Sequence, residues 1–78
     1  MKINEIYSVS NTNGNRRRRD AVRVYAHGVK IAEVTPASRN PLRYVRQHPG
    51  SKYRAKLIDQ LLAASVPADI IASILGAA

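Results

Sequence analysis

The sequence predicts a small α+β domain, an antiparallel β-sheet covered by two to three C-terminal helices. Three observations lead there. Residues 21–35 alternate apolar and polar side chains around His27-Gly28, the segments after residue 40 change to a helical period behind capping residues, and all thirteen Lys and Arg fall within residues 1–56. Strands followed by helices in one short chain place the helices on one face of the sheet.

The hairpin is the strongest element. Val22, Val24 and Ala26 point one way, Arg23, Tyr25 and His27 the other, and a second β-rich run, Val29 to Thr35, ends at Pro36. With His27-Gly28 as a two-residue turn, in which Gly supplies a positive φ, Ala26 faces Val29, Val24 faces Ile31 and Val22 faces Glu33. That register gathers Val22, Val24, Ala26, Val29 and Ile31 on one face and leaves Arg23, Tyr25, Lys30 and Ala32 on the other. Residues 2–9, with Ile3, Ile6, Tyr7 and Val9, are expected to add a strand, although Ile3, Ile6 and Tyr7 also fit a helical face. Residues 8–19 read as a flexible Arg-rich loop, because Ser, Thr, Asn and Gly compete locally for backbone hydrogen bonds.

Asn40-Pro41 predicts a helix start, with Asn as N-cap and Pro at the first helical position, and Pro49-Gly50 stops that helix. Ser51 caps a second helix over residues 52–64 with Leu57, Ile58, Leu61 and Leu62 as its apolar stripe. Pro67 is placed at the first position of a last helix with Asp69 in its first turn, ending at Gly76. These two helices read as an αα-hairpin. Its stripe, Ile70, Ile71, Ile74 and Leu75, is more simply buried against the sheet, with a homodimer interface as the alternative.

Length and composition set the limits. Seventy-eight residues form one small basic domain, since a chain of this size buries only about 60% of its unfolded surface. Without Cys there is no disulfide framework, thiolate nucleophile or Cys-based zinc site. Phe and Trp are absent too, so four Tyr supply all the aromatic area and the core falls to Val, Ile, Leu and Ala. No run approaches the ~18 apolar residues of a membrane span, and Met1-Lys2-Ile3-Asn4-Glu5 leads into no signal-peptide core. No membrane partner is expected, and a cytoplasmic or virion-associated setting fits.

The formal net charge is +8. Residues 1–56 contain only Glu5, Asp20 and Glu33 as acids, whereas the apolar helical tail, residues 57–78, contains Asp59, Asp69 and no basic group. A basic body beside an apolar tail is expected where one surface meets a polyanion and the other packs. Arg16, Arg17, Arg18 and Arg19 lead into the hairpin with Asp20 as local counter-charge. They would act as an arm, Arg23, Tyr25 and Lys30 as a sheet-face platform, and Arg39, Arg43, Arg46, Lys52, Arg54 and Lys56 as a second basic ridge. Guanidiniums contact phosphates in pairs of bonds and a planar ring stacks on bases, so nucleic acid, DNA or RNA, is the expected partner. Lys52, Arg54 and Lys56 sit at the helix end where the dipole disfavours cations, which points to a role other than helix stability.

Catalysis is poorly supplied. His27 and His48 read as turn residues, the five acids are scattered, and no phosphate-cradling Gly-rich motif occurs. No catalytic residue, metal or cofactor is expected. The alternative function is a small inhibitor or adaptor docking the same arginines on an acidic or nucleic-acid-handling protein, as in a phage or mobile-element accessory protein, or a packaging component that neutralises genome phosphates.

Overall fold

The computed structural model describes residues 4–11 and 21–76. Three antiparallel strands, β1 (Tyr7–Asn11), β2 (Val22–Ala26) and β3 (Val29–Val34), form one sheet in the order β1-β2-β3, followed by α1 (Pro41–Gln47), α2 (Lys52–Ala63) and α3 (Ala68–Leu75). The expected α+β class is therefore observed. The turn is as expected too: His27 at φ 51° and Gly28 at φ 78° are both left-handed, as a type I′ hairpin requires.

The register departs from expectation after two pairs. Ala26 faces Val29 and Tyr25 faces Lys30, but Val24 then faces Ala32, Arg23 faces Glu33 and Val22 faces Val34, with the shift between Val24 and Tyr25. Ile31 is thus an extra residue, a β-bulge that flips every later side chain of β3. The physical reason lies at Glu33. In the unbulged register its carboxylate would oppose Val22, which has no solvent exposure, and a buried unpaired charge is far more costly than one bulge. The inward face accordingly contains Val9, Val22, Val24, Ala32 and Val34, while Val29 is 65% exposed. Ala32, expected on the outer face, is core.

The first strand shares Tyr7, Ser8 and Val9 with the expected residues 2–9 and runs on to Asn11; Lys2 and Ile3 lie outside the described residues. Asn4 Oδ1 accepts hydrogen bonds from the backbone N–H groups of Ile6 and Tyr7 at 2.7 and 2.8 Å, a local turn that delays pairing. Ser10 and Asn11, read as loop from composition, pair with β2 instead, because strand preference depends more on an available partner than on intrinsic backbone choice. The remainder of the expected loop lies outside the described residues.

The first two helices start where their caps predict. Asn40 Oδ1 accepts from Arg43 N–H at 3.2 Å and Ser51 Oγ from Arg54 N–H at 3.2 Å. Asn11 also ties β1 to α1: its amide donates to Asn40 Oδ1 at 2.8 Å and its Oδ1 accepts from Leu42 N–H at 2.9 Å. Pro67 is the N-cap of α3, one residue earlier in role than expected. At the end of α2, Val66 N–H donates to Leu61 O and Ser65 N–H to Leu62 O, each at 3.0 Å, with Ser65 at φ 61°. This is a Schellman motif with Ser in the position usually held by Gly.

α2 lies on β3, and α1 packs against both α2 and α3. The expected αα-hairpin is corrected accordingly: α3 packs more closely on α1 than on α2. Leu57, Leu61, Val45 and Ile74 are fully buried in one core cluster with the inward sheet residues, and Ile70 and Leu75 join them. Ile71 packs partly buried against the same core. Three of the four residues of this stripe, Ile70, Ile74 and Leu75, are thus buried in the chain's own core.

Candidate nucleic-acid interface

The outer face of the sheet is less basic than its sequence implies. The bulge brings Glu33 opposite Arg23, whose Nε donates to Glu33 Oε2 at 2.6 Å, and Lys30 Nζ lies 3.5 Å from Oε1. Two cations share one carboxylate. The Arg23 hydrogen bond, foremost, and the Lys30 charge hold the Glu33 carboxyl below its ordinary value, against an opposing effect of partial burial. Tyr25 stands half-buried beside Lys30 on this face. Arg16, Arg17, Arg18 and Arg19 lie outside the described residues.

The second basic ridge divides into two groups. Arg46 Nε donates to Ile74 O at 3.0 Å, and an Arg54 guanidinium N–H donates to Leu75 O at 3.5 Å. Both therefore satisfy carbonyls at the C-terminal end of α3, where cations oppose the negative end of the helix dipole. This explains why Arg54 sits at the disfavoured end of its own helix: it serves the end of another. Arg39, Arg43 and Lys56 are exposed and their side chains enter no ion pair or hydrogen bond among the described residues. Lys52 Nζ lies 5.3 Å above the Tyr53 ring, a cation–π distance.

An aromatic group accompanies these cations. Tyr44 and His48, one helical turn apart, stack with centroids 4.2 Å apart and planes inclined by 19°. Tyr53 meets Tyr44 edge-on at 6.1 Å and 75°. Beside it, Lys52, Tyr53, Ala55, Lys56 and Asp59 line an open depression of about 540 Å³. His48 closes α1 as its C-cap, so its reading as a turn residue identifies its backbone and misses its ring. The i, i+4 spacing of Tyr44 and His48 was the available signal; the contribution of Tyr53 depends on how α1 meets α2.

Among the described residues no three His, Cys, Asp or Glu side chains lie close enough together to hold a metal ion. None of the described helices is long and apolar enough to cross a membrane. Comparison with known protein families, characterised proteins and solved structures found no match to this chain.

Proposed function

We propose that this chain is a non-enzymatic nucleic-acid-binding protein that holds its ligand through phosphate contacts. The observation that carries this reading is the charge of Arg39, Arg43 and Lys56, which enter no ion pair among the described residues, beside the aromatic group of α1 and α2. Charge left without an internal carboxylate is stabilised when a polyanion supplies the partner and condensed counterions are released. The centre of the interface moves from the hairpin to the helices, because Glu33 already engages Arg23 and Lys30. Arg16, Arg17, Arg18 and Arg19 add mobile-ion-releasing charge to the same chain.

A salt titration of binding to short DNA and RNA, duplex and single-stranded, tests the proposal. If roughly five phosphates are neutralised, log K falls against log[salt] with a slope of about −4.5 on duplex DNA. Absence of measurable binding to any of these at ~50 mM salt overturns it and favours an acidic protein partner.

A further inference from the structure

Building on the nucleic-acid reading above, we infer that the stacked rings of Tyr44 and His48, with Tyr53 at their edge, form a platform for an unpaired base whose adjoining phosphates are held by Lys52 and Lys56. The ligand of this site is therefore single-stranded nucleic acid.

The His48 ring is held in place before any ligand arrives. Its Nδ1 lies 2.9 Å from Tyr44 O; a carbonyl only accepts, so Nδ1 carries the hydrogen and donates it. Stacking on Tyr44 fixes the plane a second time. A ring with two restraints loses little further rotamer freedom on binding, which is the chief cost of ordering a surface side chain. His48 is nevertheless exposed, while Tyr44 beneath it is half-buried. One face of the imidazole thus covers Tyr44, and no other ring of the described residues stacks on the opposite face.

The cations stand where a backbone would run. Tyr53 touches Tyr44, Lys52 lies over Tyr53, and Lys56 joins both in the open depression, where the two ammonium groups outnumber the Asp59 carboxylate. Rings contiguous with cations supply both parts of a single-strand groove, stacking for bases and charge for phosphates. A duplex offers no equivalent fit, since its bases are already stacked on one another and only unpaired bases swing onto a protein ring. Tyr25, the ring expected to stack, lies half-buried between cations that already share Glu33.

The experiment compares three fluorescently labelled ligands by anisotropy: a short oligothymidylate, an abasic strand of equal length, and a duplex. Tyrosine emission, unobscured because the chain has no Trp, reports stacking directly. The base-bearing strand should bind more tightly than the abasic strand by roughly 5- to 150-fold per stacked base, with quenching of tyrosine emission. His48→Ala should remove most of that difference, while His48→Phe, which restores a flat ring, should recover it. Equal affinity for base-bearing and abasic strands, or tighter binding to duplex than to single strand, overturns the platform and leaves phosphate binding standing. Failure to bind any of the three overturns the nucleic-acid reading itself.

Discussion

The side chain of Gln60 clasps the backbone of Glu33 from both sides. Its Oε1 accepts from Glu33 N–H at 2.7 Å and its Nε2 donates to Glu33 O at 3.1 Å, so one amide on α2 occupies the place a fourth strand would take on the open edge of β3. An unpaired edge is a template for association with other chains, and covering it is a common protection. The bulge at Ile31 and this clasp act on the same residue: one turns the Glu33 side chain outward, the other holds its backbone.

Gln60→Ala should cost about 1–3 kcal/mol, because it leaves two partly buried backbone groups without partners. Urea unfolding measures the loss. Light scattering at raised concentration should show the variant associating sooner than the parent, as an uncovered edge would.

Acid stability should depend on Glu33. In the unfolded chain its carboxyl takes up a proton near the ordinary value of 4.5, whereas in the fold it does so at lower pH. Its contribution is therefore complete above about pH 4.5 and drains away as pH falls through the folded value. Glu33→Gln should flatten the acid limb of a stability-against-pH curve below that point. The same variant should raise low-salt affinity for nucleic acid by removing the carboxylate that Lys30 faces, a change absent at high salt.

Ser65→Gly should stabilise the protein. Ser65 occupies a left-handed conformation at φ 61° that costs a side-chain-bearing residue about 1 kcal/mol or more, offset in part by the greater freedom of glycine in the unfolded chain. A net gain of about 0.5 kcal/mol is expected, read as a higher urea midpoint at unchanged slope.

The two kinds of basic residue on the helices should separate in a paired measurement. Arg54→Ala and Arg46→Ala should lower stability by about 0.3–1 kcal/mol each, through lost capping of α3. Lys56→Ala should leave stability within about 0.5 kcal/mol and reduce the salt slope of binding by about 1.

Much of the fold was legible because its signals are local. His27-Gly28, Asn40-Pro41 and Ser51 each act within a few residues of themselves, through left-handed backbone or a capping hydrogen bond, and a local rule needs no knowledge of the rest of the chain. The end of β1 was missed for the opposite reason: Ser10 and Asn11 have loop composition, and only the presence of β2 makes them a strand. The candidate site divides in the same way. Its cations were all named from sequence, but the sequence gives no sign that Arg46 and Arg54 reach carbonyls 28 and 21 residues away.

By itself, then, the amino-acid sequence determined the α+β class, the turn, the starts of α1 and α2 and the confinement of basic residues to the first 56 positions. Tertiary structure alone decided the register beyond Tyr25 and Lys30, the partners of Arg23, Arg46 and Arg54, and the meeting of Tyr44 with Tyr53. The reason is physical. Turns and caps are satisfied by neighbours in the chain, whereas a bulge is chosen by which side chains must be buried, and a cation is free or engaged according to which distant carbonyl or carboxylate the packing brings within reach.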